Sequence, residues 1–215
     1  MTLSDPPAVR PGGPRAARSA VRADTNSVAL TLARAFHDDP LVLHLIPEEQ
    51  TRPRKLPLLF NVLFQLALPF GGCDVTEGYE SVALWRPPNK WHMPFWQYLT
   101  NGLPLLRVFG ANALGALATM DVMERVHPHV PHWYLQTLGT DPAKQGKGYG
   151  GILLRHRLRA VDAAGLPAYL ESSKESNIPI YASFGFEVTG EIRIPSGPTL
   201  YPMWRKPREP GSDGV

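Results

Sequence analysis

Asp141-Pro142-Ala143-Lys144-Gln145-Gly146-Lys147-Gly148-Tyr149-Gly150-Gly151, running directly into Ile152-Leu153-Leu154, is the stretch on which the reading of the whole chain turns. The β-rich run 133–138 before it predicts a strand. A helical pattern continues after it to Ala164, stopped by Gly165 and Pro167 where a left-handed cap and a terminator belong. The first N–H groups of a helix have no intrahelical partner and lie at the positive end of its dipole, so this turn is an anion site. Without Cβ atoms at Gly146, Gly148, Gly150 and Gly151 the backbone can curl around a diphosphate, and Lys144 and Lys147 add charge at the rim.

Two patterns fit these letters. Gly146, Gly148 and Gly151 satisfy G-x-G-x-x-G, and Glu171 follows at about the 20-residue spacing of a ribose-binding acid, which would suit a nicotinamide-dependent oxidoreductase. Against this, the glycines stand several residues beyond the strand, and the chain after Glu171 is too short for further parallel βα units. The other pattern, Q-x-x-G-x-G, is met by Gln145, Gly148 and Gly150. A Walker loop is excluded because G-x-x-x-x-G-K-[ST] does not occur.

Further out, Val28, Ala29, Leu32, Ala33 and Phe36 predict a helix behind the caps Asp24 to Ser27. Residues 54–70 predict a buried amphipathic helix, its apolar stretch from Leu56 to Phe70 too short to span a bilayer. Runs 73–76 and 81–85 read as a hairpin, and 91–125 as two or three helices over one sheet face. Ala168 to Glu171 is a strand, Asn177 can cap a short helix ending at Gly185, and 186–194 with 200–205 make a closing pair. Pro202 predicts an edge position for the last of these.

The chain has 215 residues, 43% apolar and 19% charged, enough for one domain that holds a core without disulfides. Cys73 stands alone. Segment 1–22 contains Arg10, Arg15, Arg18 and Arg22 against Asp5, which accounts for the whole formal net charge of +3. The pI near 9.1 is therefore no sign of a phosphate-binding groove, and nucleic acid is not expected as a partner. This basic, Pro- and Gly-rich segment is expected to be disordered, as is 208–215. It lacks the apolar core of a secretory signal, so a cytoplasmic protein without membrane attachment is the expectation.

Leu138-Gly139-Thr140-Asp141-Pro142 with Gln145 to Gly150, then Asn177-Ile178-Pro179-Ile180-Tyr181 with Phe184-Gly185-Phe186, resembles the acetyl-CoA-binding half of the GNAT superfamily of N-acetyltransferases. Within it the chain is most similar to the puromycin N-acetyltransferase branch. The likeness is closest over 132–206, inside a single domain 23–207. It implies an α/β (α+β) fold: a mixed, mostly antiparallel sheet splayed in the middle, with helices on both faces. It implies acetyl-CoA as co-substrate and a small-molecule primary amine as acceptor, in a monomer or homodimer. It further implies that Leu138 and Thr140 match the splayed strand that bonds the pantetheine arm, with the Leu138 N–H facing the oxyanion. Gln145, Gly146, Lys147, Gly148, Tyr149 and Gly150 match the diphosphate cradle, Gly151 the start of its helix, Asn177 a contact to the cofactor arm, and Tyr181 the tyrosine near the cofactor sulfur.

A thioester is already activated, so a positioned neutral amine attacks it directly and no acyl-enzyme is needed. Glu171 is the first candidate for binding or deprotonating the ammonium; its other reading is a salt-bridge partner. Tyr181 could equally be a core aromatic. A CoA-sensing module without turnover is a further alternative. His127, His129 and His132 lie close together without the carboxylate or cysteine that would complete a metal set. Trp85, Trp91, Phe95, Trp96 and Tyr98 could line an acceptor pocket or simply fill the core. Asp39 stands where the puromycin-acting relative has an aromatic residue, favouring a cationic acceptor, although capping explains an Asp after a helix end as well.

Overall fold

The computed structural model describes residues 16–92 and 95–208, and side chains outside 93–101. Its centre is one twisted sheet. Strands β1 (Ala17–Ser19), β2 (Cys73–Thr76), β3 (Ser81–Arg86), β4 (Trp133–Thr140), β5 (Ala168–Ser172), β6 (Glu187–Val188), β7 (Ile192–Arg193) and β8 (Thr199–Arg205) are ordered β1-β2-β3-β4-β5-β8-β6, with β7 also on β8. Every pairing is antiparallel except β4 with β5. A doubly wound dinucleotide fold needs a run of parallel strands, so the nicotinamide reading is corrected here.

The parallel pair joins Trp133–Leu135 to Ala168–Leu170 and stops there, although β4 runs on to Thr140. From Gln136 onward β4 is held only by β3, and the sheet opens between β4 and β5. A bulge sits at the mouth of this opening: Leu84 pairs with Thr137 and Trp85 with Leu135, leaving Gln136 as the extra residue. The expected splay is therefore observed.

Helices α1 (Thr25–Ala35), α2 (Pro40–Leu45), α3 (Arg52–Ala67), α4 (Phe95–Phe109) and α5 (Ala113–Val126) cover one face. Their core holds Leu32, Leu56, Phe60 and Phe64 against Val75, Val82 and Leu84. Helices α6 (Tyr149–Ala163) and α7 (Ile178–Ser183) cover the other, where Leu153, Leu154, Leu158 and Val161 pack on Ala83, Trp85, Leu135 and Leu170. Burying each such side chain stabilises the fold by about 1.5–3 kcal/mol. Gly139 lets α1 approach: a Cβ there would stand 2.8 Å from Leu32 and 2.9 Å from Ala35. Gly102–Val126 is apolar and long enough to cross a membrane by length and composition, but it turns at Gly110 (φ 54°) and buries Val108, Phe109 and Ala116.

Two expectations are corrected. Strand β1 lies inside the segment 1–22 read as disordered; it pairs with β2, and Arg18 holds Asp24 through two hydrogen bonds of 2.7 and 3.0 Å while Tyr79 donates to the same carboxylate. Residues 1–15 and 209–215 lie outside the described residues. Strand β8 is interior rather than an edge. The Pro202 carbonyl accepts from Thr189, so the proline nitrogen also faces the short outer strand β6, where little ladder is lost.

Candidate active site

The Gly-rich turn is braced before any ligand enters it. Asp141 Oδ1 accepts from Ala143 N–H at 3.0 Å, opening a short 3-10 turn, while its Oδ2 accepts from Arg34 of α1 at 2.7 Å. The Gln145 side chain donates back to the Thr140 carbonyl at 3.2 Å. Gly146 (φ 72°) and Gly148 (φ 78°) take left-handed backbone, which a β-branched residue strongly resists, and Gly148 is the N-cap of α6. Gly150 sits close to β4, with Leu138 and Thr140 side chains about a Cβ contact away. Lys144, Lys147, Gln145, Gly146 and Gly148 are exposed, and Tyr149, Gly150 and Gly151 are half-buried. The structure thus gathers Leu138, Thr140 and residues 145–151 at one end of the β4–β5 opening.

On the α1–α5 face the opening leads into a cavity of about 260 Å³. Its walls are largely apolar, including Phe36, Leu63, Phe109, Met120, Met123 and Trp91, with Asp39, Thr137, Gln136, Ser173, Arg86, His127 and Glu171 among them. Glu171 projects from β5 and its side chain is only 3% exposed. Its Oε1 makes no hydrogen bond of good geometry among the described residues; His127 Nδ1 lies 3.4 Å from it, and the Tyr134 and Tyr169 hydroxyls face the carboxylate. Burial, and then the charge of Glu171, pushes the Tyr134 and Tyr169 phenols up, so both remain protonated around the carboxylate.

Tyr181 lies on α7 across the opening, half-buried and edge-on to Phe186 at 6.2 Å. Burial, and then the negative charge of Asp39, pushes its phenol up to about 12. Asp39 caps α2: its Oδ1 accepts from Leu41 and Val42 N–H at 3.0 and 3.2 Å, and its Oδ2 accepts from Ser173 Oγ. The capping explanation of Asp39 is therefore correct, even though it also lines the cavity. Asn177 stands at the N-cap position of α7 in helical backbone and its side chain makes no capping bond, contrary to the capping role read from sequence. That leaves its half-buried amide available to the opening.

Of the aromatic group, Trp91 lines the cavity, while Trp85 is fully buried on the opposite face. Phe95, Trp96 and Tyr98 have side chains outside the described residues. Of the three histidines, only His127 and His132 meet, Nε2 to Nε2 at 3.0 Å. Among the described residues, no group of three or more His, Cys, Asp or Glu could hold a metal. Ser173, Gln136 and Arg86 escaped the sequence reading. Only the bulge signals Gln136, and a bulge depends on the partner strand.

Residues 76–186, just over half of the chain, match the family model for the acetyltransferase (GNAT) family. The chain is 28% identical over 211 residues to an uncharacterized N-acetyltransferase of Schizosaccharomyces pombe, covering 92% of this chain and 85% of that one. It is also 28% identical, with a TM-score of 0.71, to a Corynebacterium glutamicum crystal structure described as histone acetyltransferase HPA2 and related acetyltransferase, covering 92% and 98% of the two chains. A polyamine N-acetyltransferase of Drosophila melanogaster shares the fold at 17% identity and a TM-score of 0.56, over 88% and 98%. With a splayed sheet, a glycine cradle at one end of the splay and a matched family model, this chain belongs to the GNAT family of N-acetyltransferases.

Proposed function

We propose that the protein moves an acetyl or related acyl group from coenzyme A to the primary amine of a small molecule with an apolar body. The observation that supports this reading is the β4–β5 opening itself: the glycine-rich turn follows the free end of β4, and Gln136, Thr137 and Glu171 of the same two strands line a largely apolar cavity. The cradle of Gln145 to Gly151 binds the diphosphate. Backbone groups of Leu138 and Thr140, on the strand that has lost its β5 partner, hold the pantetheine arm, with Asn177 beside it. The amine enters from the cavity, Glu171 accepts its ammonium hydrogens, and the neutral amine attacks the thioester carbonyl. The Leu138 N–H stabilises the oxyanion. An interior Asp at 39 that is occupied by capping gives no reason to favour puromycin as the acceptor.

Acetyl-CoA is expected to raise the melting temperature of the protein, by an increment that grows with ligand concentration. In the Gly148→Val variant the increment disappears, because the left-handed N-cap backbone at 78° is unavailable to valine. Unaltered stabilisation of that variant would contradict the cradle.

Tyr181 faces the departing thiolate. A phenol at about 12 gives up its proton to a thiolate of ordinary pKa about 8.5 at a cost of about 5 kcal/mol. Tyr181 therefore donates a hydrogen bond and keeps the proton. Tyr181→Phe is expected to lower kcat by about 10- to 100-fold, the worth of one hydrogen bond to a charged group, with cofactor affinity nearly unchanged. Because the raised value keeps the acid form, no loss of kcat attributable to Tyr181 appears below about pH 11, which a pH–rate profile of wild type against the variant checks.

A further inference from the structure

The two buried histidines beside Glu171 form a directed chain. His132 Nδ1 lies 2.7 Å from the Val130 carbonyl, which can only accept, so Nδ1 carries a hydrogen. Burial lowers the His132 pKa, which favours a neutral ring whose Nε2 is then a lone pair. That lone pair meets His127 Nε2 at 3.0 Å, so the His127 hydrogen sits on Nε2. The remaining His127 nitrogen, Nδ1, faces Glu171 Oε1 at 3.4 Å, and in the neutral ring it is the nitrogen that can take a proton from the carboxyl; both side chains are nearly fully buried. Trp91 stacks on His127 at 4.0 Å and fixes the plane of the ring. The arrangement fixes which nitrogen faces the carboxylate.

We infer that Glu171 and His127 work as a two-site proton acceptor whose tautomer is set by His132 and the Val130 carbonyl. This rests on the acetyltransferase reading above. An N–H bond of the bound ammonium breaks and its proton forms an O–H bond on Glu171, while the freed electron pair attacks the thioester carbonyl carbon. The proton then passes from Glu171 Oε1 to His127 Nδ1, leaving a carboxylate beside an imidazolium; the freed carboxylate takes the second proton from the nitrogen of the tetrahedral adduct as the C–S bond breaks and the thiolate departs. An ordinary imidazole is more basic than an ordinary carboxylate by about two pKa units, so the second site brings the acceptor closer to an alkylamine in basicity. His127 acts in this scheme only through Glu171, so it and His132 are positioning residues. The other titratable groups facing the pair are Tyr134 on β4, Tyr169 on β5, Arg86 on β3 and the His92–Glu124 pair, and Asp39 lines the same cavity.

Two measurements on the full-length protein test this. In wild type labelled with ¹⁵N-histidine, long-range ¹H–¹⁵N spectra are expected to show His132 as the Nδ1–H form and His127 as the Nε2–H form. Glu171→Gln should move the His127 Nδ1 signal and leave His132 in place. The opposite tautomer on either ring, or a His127 Nδ1 signal indifferent to that substitution, overturns the relay whatever the protein acetylates. Kinetically, His127→Asn is compared on an alkylamine acceptor and on its β,β-difluoro analogue, whose ammonium is far more acidic. A loss of about tenfold or more in kcat on the parent, with about threefold or less on the analogue, is expected of a base. Equal losses on both mean a packing role and overturn it. If no amine releases thiol from acetyl-CoA, the acetyltransferase reading fails by itself and the spectra still decide the relay.

Discussion

Replacement of Glu171 by glutamine lowers kcat by roughly 10²- to 10⁴-fold on an alkylamine acceptor, the range of a lost general base. Glutamine keeps the shape of the side chain in a cavity wall where only 3% of it is exposed, so repacking is slight. What disappears is an acceptor oxygen that makes no hydrogen bond among the described residues, and which an ammonium would fill. The loss should fall on kcat and on the acceptor KM. The acetyl-CoA KM stays within about twofold, because the cradle lies at the other end of the opening. A variant that retains full turnover would remove Glu171 from the chemistry and return it to the salt-bridge role.

Arg157→Ala is expected to cost about 3–5 kcal/mol of stability, the penalty for stripping a buried charge of its partner. Asp74 on β2 has a side chain with no exposure at all, and Arg157 of α6 meets it with hydrogen bonds of 2.8 and 2.7 Å while also donating to the Gly71 carbonyl. His156, 3.7 Å from the same carboxylate, is too distant and too exposed to replace it. For a chain of this size the melting temperature falls by roughly 6–20 °C. The double variant Asp74→Leu with Arg157→Met is expected to recover most of that loss, since removing both charges removes the desolvation cost as well. A single variant that melts like wild type would show that water reaches Asp74. This pair fastens α6, and with it the cradle, to the first hairpin, so cofactor affinity in the single variant should weaken along with stability.

The cradle could be read before any coordinates because its requirements are local. Left-handed backbone at 146 and 148, an open helix N-terminus and a glycine where the helix meets the strand are all written in consecutive residues. The same holds for α1, α3 and α6, whose apolar spacing announces a buried face. The edge placement of β8 failed for the opposite reason. Pro202 removes one donor, but which side that donor would have faced is decided by the neighbours of β8, and they lie far off in sequence. The pairing of Ala17–Ser19 was invisible for the same cause: a three-residue strand in a polar segment owes its existence to β2 and to the Arg18–Asp24–Tyr79 cluster.

The sequence by itself determined the glycine-rich turn between β4 and α6 and the apolar faces of the helices around it, and its resemblance to the family supplied the proposed cofactor positions and Glu171 as the first candidate on the acceptor side. Only the tertiary structure decided that Asp39 is a cap, that Trp85 and Trp91 belong to opposite faces, that His129 stands apart, and that His127 bridges His132 and Glu171. The division follows range. Backbone conformation and amphipathic period depend on neighbours within one or two turns, whereas a proton's path depends on which nitrogen faces which oxygen. That is fixed by contacts between segments dozens of residues apart, and it becomes definite only once the sheet has closed around them.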